Sequence, residues 1–347
     1  MSETKTPAAT AWTDVCALTE LELGWGRAAL VGVDQVALFR ADDDRVLAVS
    51  NRDPKTGAMV ISRGIVGRRT VDGKSRDTIA SPLHKDVFDL STGACYTSAD
   101  HALPVWRART RGGRVLVAPP ATLVLASHGT RSAEGASAIR ALTDAVRDGL
   151  PGHTVRDCFV DVQAPDVPTV LAGVDTTAVV VPLLISSGYH VHVDLAEAAA
   201  EHGAAIVTRA LGPDASLVDV LVRRLRAAGW MPGDAVVLAA AGSSDARAVD
   251  DCHRAAALLA EALRTPVCVG FVSAATPRLA DAVAAARSDG SRVAVASYLL
   301  APGTFYDQLL SGGADLVSAP VLWEDVPPAE IVALVRRRYE EGLAELE

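Results

Sequence analysis

The stretch Leu123–Arg131, with the sequence LVLASHGTR, places an imidazole directly after a run of apolar residues. The run has the length and composition of a buried strand, and a segment with helical spacing begins after Arg131. In open α/β sheets, ligands bind at the carboxyl ends of the strands. We therefore predict that His128 lies in a binding loop and that it contributes to a site for a divalent metal ion.

Two further residues have the same relation to an apolar run. Asp161 lies in FVDVQAP and His190 ends PLLISSGYH. Two neutral imidazoles and a carboxylate suit a borderline ion such as Fe²⁺ or Co²⁺. Structural roles are the alternative, because a histidine at a strand end can bond to backbone and an aspartate often accepts hydrogen bonds in a turn. His192 is a secondary candidate, since it shares a face with His190 only if the chain is extended there.

From residue 121 onward, apolar runs of strand length alternate with segments of helical length, a pattern typical of parallel sheets flanked by helices. The helical patterns include residues 137–150, 194–203 and 216–229. The predicted strands are 122–127, 154–160, 177–185, 205–208, 235–240, 266–272 and 292–299. The sequence therefore predicts an α/β fold for this part of the chain.

This part also contains an internal repeat. The segments beginning at residues 123, 159 and 182 align with those beginning at residues 237, 271 and 297, with shifts of 114, 112 and 115 residues. Three matches in the same order indicate two similar lobes that face each other across a cleft. His128 aligns with Ala240 or Ala241, Asp161 with Ser273 and His190 with Phe305. Since folding requirements act on both copies alike, this asymmetry indicates chemistry in the first lobe.

The first part of the chain has a different pattern. Short alternating runs such as QVALFR and RVLAVS, separated by turn signals, predict a small antiparallel β-domain. Ala118-Pro119-Pro120-Ala121 is the best candidate for a linker, because proline cannot join a sheet ladder. We divide the chain into a flexible N-terminus (1–11), the β-domain (12–117), the linker (118–121), lobe 1 (122–232) and lobe 2 (233–347).

Charge and cysteine spacing exclude several classes of function. The net charge is −9, residues 121–347 contain no lysine, and this acidity disfavours general nucleic-acid binding. No apolar run has the length of a membrane span and no signal peptide is evident, so we expect a cytoplasmic protein without membrane attachment. The five cysteines form no Cys-x-x-Cys pair, which argues against a disulfide framework or a common zinc motif.

The β-domain resembles the Rieske-like small subunit of NAD(P)H-dependent nitrite reductase. Rieske proteins bind a [2Fe–2S] cluster through Cys-x-His and Cys-x-x-His. The corresponding stretches here are Asn51-Arg52-Asp53 and Ser81-Pro82-Leu83-His84, so three of the four ligands are missing. The resemblance therefore implies a docking or structural role, with no cluster and no cluster ligands.

The motifs SHGTR, FVDVQAP and PLLISSGYHVHVDL together resemble the class II chelatases, the CbiX and SirB group, which insert a divalent metal into sirohydrochlorin. The resemblance implies that His128 and His190 bind the metal and serve its insertion. Asp161 is a third catalytic candidate, at a position where the family often has glutamate.

The anionic tetrapyrrole that this resemblance implies would need donors for its carboxylates. Arg131 and Arg209 are candidate clamps. Ser186, Ser187 and Gly188 could supply hydroxyl and backbone donors at a helix N-terminus.

Our leading hypothesis is a lyase, sirohydrochlorin ferrochelatase, with Fe²⁺ as substrate and no permanently bound cofactor. The fused nitrite-reductase-like domain favours iron, because sirohaem is the cofactor that nitrite reductase needs, and it suggests docking to a sirohaem-dependent nitrite or sulfite reductase. Insertion of Co²⁺ for cobalamin synthesis and a non-enzymatic tetrapyrrole or metal carrier remain the alternatives.

Overall fold

The computed structural model describes residues 12–71, 73–186, 193–287 and 290–346. Four residues singled out in the sequence, Ser187, Gly188, His190 and His192, lie outside the described residues. The described part comprises a β-domain followed by two α/β lobes, as predicted.

The β-domain contains a six-stranded antiparallel sheet in the order β1-β9-β8-β4-β3-β2 and a three-stranded sheet in the order β5-β6-β7. Its strands are β1 (Thr13–Ala17), β2 (Gly26–Val31), β3 (Asp34–Arg40), β4 (Val46–Ser50), β5 (Ile65–Val71), β6 (Lys74–Ala80), β7 (Val87–Asp89), β8 (Val105–Arg111) and β9 (Arg114–Ala118). Along β3, Val36 and Leu38 face one apolar cluster, while Ala37 and Phe39 face another that includes the three-stranded sheet. Because both faces of β3 are buried from Val36 to Phe39, the sequence there is apolar without alternation.

Lobe 1 has a parallel sheet in the order β11-β10-β12-β13, and lobe 2 repeats this arrangement as β15-β14-β16-β17. Lobe 1 consists of β10 (Thr122–Ser127), α1 (Ala133–Asp148), β11 (Thr154–Phe159), α2 (Val167–Ala172), β12 (Ala178–Leu183), α3 (Asp194–His202), β13 (Ala205–Val207) and α4 (Ala215–Ala227). Lobe 2 consists of β14 (Ala235–Ala240), α5 (Ala246–Leu263), β15 (Val267–Phe271), α6 (Leu279–Ala286), β16 (Val293–Tyr298), α7 (Thr304–Leu310), β17 (Leu316–Val317) and α8 (Ala329–Glu345). These elements confirm the predicted α/β class. Among the described helices, none is both long enough and apolar enough to cross a membrane.

The two lobes share one apolar core. A single cluster of buried side chains runs from Leu123 in lobe 1 to Phe271 in lobe 2. The last helix, α8, follows lobe 2 in the chain but packs on β12 of lobe 1, and α4 of lobe 1 packs against β16. Gly342 of α8 allows this approach, since a Cβ there would lie 2.8 Å from the Thr208 side chain. Because α4 and α8 each pack on the sheet of the other lobe, they fix the two sheets relative to each other.

The β-domain is joined to lobe 1 by backbone hydrogen bonds at the turn between α1 and β11. The amide of Gly152 donates to the carbonyl of Thr92 (2.8 Å), and the amide of Val105 donates to the carbonyl of Gly152 (3.0 Å). His153 adds a ring nitrogen 3.1 Å from the carbonyl oxygen of Ser91. This turn precedes β11, so the two domains meet at the amino ends of the lobe 1 strands.

We call this contact between the β-domain and lobe 1, around Gly152 and His153, the seam. Gly152 offers a test of it. A Cβ at this position would meet the backbone of Leu103, and would lie 2.8 Å from the Gly93 Cα and from the Thr92 carbonyl oxygen. Backbone on both sides cannot yield as a flexible side chain would. We expect Gly152→Ala to destabilise the docked arrangement by about 1–3 kcal/mol, which is typical of overpacking.

Gly149→Ala is the matched control, because the nearest atoms to a Cβ there lie at 3.4 Å, an ordinary contact distance. Limited proteolysis of the Pro119-Pro120 linker and denaturant unfolding should show faster cleavage and lower stability for Gly152→Ala only. Equal behaviour of the two variants would contradict the seam described above.

Candidate functional site

A cavity of about 640 Å³ opens between the carboxyl ends of β10 and β12 in lobe 1 and those of β14 and β16 in lobe 2. This volume lies within the range of clefts that bind small organic ligands. His128, Thr130, Gln163 and Ser186 line the lobe 1 wall. Among the described lining residues, the single imidazole therefore belongs to lobe 1. The opposite wall is mostly formed by small and apolar groups, including Ala240, Ala241, Ala274, Leu300, Ala301 and Phe305.

His128 is placed by the end of β10. Ser127, the last residue of this buried strand, lies between Phe159 of β11 and Leu183 of β12 in the sheet. The chain then leaves the sheet and His128 becomes exposed. The imidazole is thus presented at the strand end, as predicted from LVLASHGTR.

Equivalent hydrogen bonds in the two lobes settle which residue of lobe 2 corresponds to His128. The amide of Asp161 donates to the carbonyl of His128 (3.0 Å), and the amide of Ser273 donates to the carbonyl of Ala241 (2.8 Å). The glycines that follow His128 and Ala241 have nearly equal positive φ angles of 92° and 93°. Ala241, and not Ala240, is therefore the counterpart of His128, and the same loop geometry holds an imidazole in one copy and a methyl group in the other.

Asp161 occupies the turn after β11 and is exposed. Its carboxylate Oδ1 accepts a hydrogen bond from the amide of Val162 at 2.7 Å. Val162 has a φ of 68°, an uncommon conformation for a β-branched residue that costs about 1–3 kcal/mol. The described contacts of Asp161 thus support the loop beside His128, and Val162 rather than Asp161 lines the cavity.

Gln163 is a site residue that our sequence analysis missed. Its side-chain Oε1 accepts a hydrogen bond from the amide of Thr130 at 2.8 Å, which ties the turn after β11 to the loop that carries His128. The repeat could have revealed it, because FVDVQAP aligns Gln163 with Ala275 and therefore shows a polar residue in one copy only.

The remaining predicted residues fall into two groups. Ser186 lines the cavity, whereas Arg131 is exposed on the chain just beyond the lining residue Thr130. Arg209 lies just after β13 and forms an ion pair with Glu341 of α8, with 3.1 Å between nitrogen and oxygen. Arg209 is thus not among the described residues that line the cavity.

A thiol also lines the cavity, on the lobe 2 side. Burial, together with the neighbouring Asp251 carboxylate, raises the pKa of Cys252 from its ordinary value of 9.0 to about 12. At neutral pH the sulfur therefore remains protonated, and only the thiolate is a good metal ligand. In the metal-free protein Cys252 is therefore a thiol and not a thiolate at neutral pH.

The positions that correspond to Rieske ligands do not suit a [2Fe–2S] cluster. Asn51, Asp53 and Ser81 are buried, and the Ser81 hydroxyl donates to Oδ2 of Asp53 at 2.5 Å. Burial alone would raise the pKa of Asp53, but hydrogen bonds from Ser81, Thr56 and Lys55 lower it overall. An oxygen-based hydrogen-bond network therefore joins the two loops where a cluster would require thiolates.

Comparison with known families agrees with the two-part architecture. A Rieske-like [2Fe-2S] domain model matches residues 11–118. The CbiX family model matches residues 122–228 and 235–319, which together are more than half of the chain. The chain belongs to the CbiX family. The match covers both lobes of this CbiX-family chain, including lobe 2, which contributes no histidine to the described lining of the cavity.

Two solved structures of SirB from Bacillus subtilis share the fold of the lobes. The SirB structure with Fe³⁺ is 20% identical, with a TM-score of 0.54. The structure of SirB in complex with cobalt, from subspecies spizizenii, is 17% identical, with a TM-score of 0.53. Each comparison covers 65% of this chain and 96% of the SirB chain. SirB is described as a sirohydrochlorin chelatase.

The β-domain has curated relatives among nitrite reductases. It is 36% identical over 105 residues to the nitrite reductase (NADH) small subunit of Salmonella typhimurium, which covers 30% of this chain and 94% of that protein. The resemblance of the β-domain to nitrite reductase small subunits is thereby confirmed.

Replacing Gln163 with leucine removes the hydrogen bond from the Thr130 amide with little change in side-chain volume. Gln163→Leu leaves the Thr130 amide without this acceptor, so we expect a loss of about 1 kcal/mol in the free energy of unfolding. Hydrogen exchange of the loop 128–131 should also become faster. Gln308→Leu, the same change on the exposed surface of α7, is the control and should affect neither quantity. Unchanged exchange in Gln163→Leu would show that the loop does not depend on this bond.

The raised pKa of Cys252 predicts selective thiol chemistry. At pH 8, a shift of three pKa units leaves roughly a thousandfold less thiolate than at an ordinary cysteine. Iodoacetamide should therefore modify the exposed Cys268 in the native protein, while Cys252 reacts only after unfolding. Peptide mass spectrometry measures both sites in one sample. Modification of Cys252 at the rate of Cys268 would contradict the assigned protonation state.

Proposed function

We propose that this chain is a sirohydrochlorin ferrochelatase. The observation that carries the proposal is an exposed imidazole on one wall of a cavity between two lobes of chelatase-type fold, facing a largely apolar wall. A macrocycle has a flat apolar face and four inward nitrogens. The lobe 2 wall offers Ala241, Ala274 and Phe305 to such a face, while His128 can present an ion from the other side.

In the proposed reaction, two protons leave the pyrrole nitrogens as Fe²⁺ enters the ring. An imidazole can hold the ion transiently or accept one of these protons, because its ordinary pKa lies near neutrality. We assign these tasks jointly to His128 and His190. Asp161 supports them by holding the turn that contacts the His128 carbonyl. Incomplete coordination by the protein favours transfer of the ion to the ring.

The substrate's carboxylates require donors near the mouth of the cavity. Arg131 follows Thr130 directly and is exposed, so its guanidinium is our first candidate for a carboxylate clamp. Ser186, Ser187 and Gly188 are proposed as hydroxyl and backbone donors. Arg209 is a weaker candidate, since a substrate carboxylate would have to displace Glu341 from it.

The choice of iron rests on the β-domain. A domain similar to the small subunit of nitrite reductase is joined here to a chelatase fold, and sirohaem is the product that such a reductase would use. This is an argument from association and not from coordination chemistry. SirB structures with Fe³⁺ and with cobalt have the same fold, so insertion of cobalt by the same residues is the enzyme alternative. We further propose that the β-domain docks to a sirohaem-dependent nitrite or sulfite reductase.

The decisive test is an insertion assay with sirohydrochlorin and either Fe²⁺ or Co²⁺. We expect the protein to accelerate the absorbance change of insertion above the uncatalysed rate, with Fe²⁺ the faster of the two. His128→Ala and His190→Ala should each lower the rate by about 10²-fold, the usual contribution of a proton-transfer group. Full activity in both variants would refute our assignment of the site.

His84→Ala is the matched control, because this exposed histidine lies in the β-domain, far along the chain from the cavity. Its insertion rate should remain within about twofold of the wild-type rate. A carrier, in contrast, would bind sirohydrochlorin without accelerating insertion. A faster rate with Co²⁺ would favour the cobalt alternative over iron.

A further inference from the structure

A short segment after β12, Leu184 to Ser186, forms part of the lobe 1 wall of the cavity. It is held from two sides by hydrogen bonds to its carbonyl oxygens. The amide of Leu211, in lobe 1, donates to the carbonyl of Leu184 at 2.8 Å. The hydroxyl of Tyr298, in lobe 2, donates to the carbonyl of Ile185 at 2.7 Å. The second bond crosses from one lobe to the other at the cavity itself.

Tyr298 is the last residue of β16 and is 1% exposed. In the sheets, Leu183 lies beside Ser127 at the end of β10, and Tyr298 lies in the same way beside Ala240 at the end of β14. Tyr298 is therefore the repeat counterpart of Leu183. At this position lobe 1 has an aliphatic side chain, whereas lobe 2 has a ring long enough to carry a hydroxyl across to lobe 1.

The third member of this junction is Gly212. A Cβ at residue 212 would collide with the Ile185 carbonyl oxygen and with the Tyr298 hydroxyl, and would lie 3.0 Å from the side chain of Leu217. The close approach of these groups thus requires glycine. The Ile185 carbonyl, the Tyr298 hydroxyl and the Gly212 backbone form one tightly packed contact between the lobes.

The Tyr298 hydroxyl can act only as a donor to a carbonyl, so it must keep its proton. Burial raises the pKa of Tyr298 well above its usual range, with smaller contributions from Cys252, Asp251 and Asp214. The bond to Ile185 is therefore present throughout the neutral pH range. It requires no partner other than groups within the chain.

We propose that Tyr298 is a positioning residue, whose hydroxyl fixes the Leu184–Ser186 wall relative to lobe 2 and thereby sets the geometry of the cleft. The inference rests on the proposed function for its activity measurement, because a fixed wall matters where a metal ion must be delivered to a ring held against the opposite lobe. Misplacement of reacting groups by even 1 Å can cost a large factor in rate.

The test compares two tyrosine hydroxyls that differ in position. Tyr298→Phe removes the hydroxyl at the cavity. Tyr339→Phe is the matched control, because Tyr339 is 2% exposed and its hydroxyl lies next to the amino end of β10, where it donates to the carbonyl of Ala121 at 3.0 Å and lies 3.3 Å from Nδ1 of His153. Both changes remove one buried hydroxyl and keep the ring. Only the first removes it beside the cavity.

Steady-state insertion kinetics and hydrogen exchange are measured on the full-length chain. In Tyr298→Phe we expect kcat to fall about tenfold with KM within about twofold, since positioning is lost rather than binding. Exchange of the Leu211 amide, which bonds to the adjacent Leu184 carbonyl, should become about tenfold faster. Tyr339→Phe should leave both quantities within about twofold of the wild-type values. Equal effects in the two variants, or none in Tyr298→Phe, would overturn the proposal.

The exchange measurement separates this inference from the proposed function. If the wild-type chain inserts neither metal, the proposed function fails, while faster Leu211 exchange in Tyr298→Phe alone still supports the positioning role. If Tyr298→Phe does not fold, Gly212→Ala takes its place, because it keeps the hydroxyl and forces the junction apart. Wild-type kcat and wild-type exchange in Gly212→Ala would refute the role of the junction.

Discussion

The shared apolar core is the constraint on which the cavity depends. Neither lobe covers its own sheet completely. Helix α4 of lobe 1 packs against the sheet of lobe 2, and helix α8 of lobe 2 packs against the sheet of lobe 1. The carboxyl ends of β10 and β14 are therefore held facing a common space. A loop of a few residues after each strand is then sufficient to build a wall, since the sheets and not the loops determine where these walls stand.

The repeat shows how one geometry supports two different surfaces. His128 and Ala241 follow equivalent strands, precede glycines of nearly equal φ, and accept equivalent hydrogen bonds from the next loop. The backbone of this loop is thus the same whether the residue after the strand is a histidine or an alanine. Under our proposed function, this division would allow lobe 1 to provide the reactive wall and lobe 2 a largely apolar surface for a flat ligand.

Much of this organisation could be predicted from the sequence, because it depends on local periodicity. Seven strands of the two lobes and the presentation of His128 follow from apolar runs and from the residues that end them. The edge strand β17 (Leu316–Val317) was not predicted, because two residues are too few to show a pattern. The role of Gln163 was missed since an amide side chain has no distinctive signal outside the repeat. The pairing of Arg209 with Glu341 joins residues far apart in the chain, and periodicity carries no information about such contacts.

The packing of α8 on lobe 1 was also beyond sequence reasoning. Nothing in the pattern of this helix tells which sheet will cover its apolar face, because both lobes offer similar surfaces. The contact at Gly342 depends on how closely the helix backbone fits against side chains of lobe 1, and a sequence pattern does not reveal such a fit. The same holds for the seam at Gly152, because the contacts there join backbone groups of two domains and leave no pattern in the side chains.

That seam has a consequence for any product leaving the cavity. The β-domain contacts described at Gly152 and His153 lie before β11, whereas the cavity opens after β10, beyond strands of six residues. At the usual rise per residue, a strand of this length spans about 20 Å. The seam and the cavity therefore lie at opposite ends of the lobe 1 strands, and under our proposed function the β-domain would act as a tether that raises the local concentration of product near a bound partner.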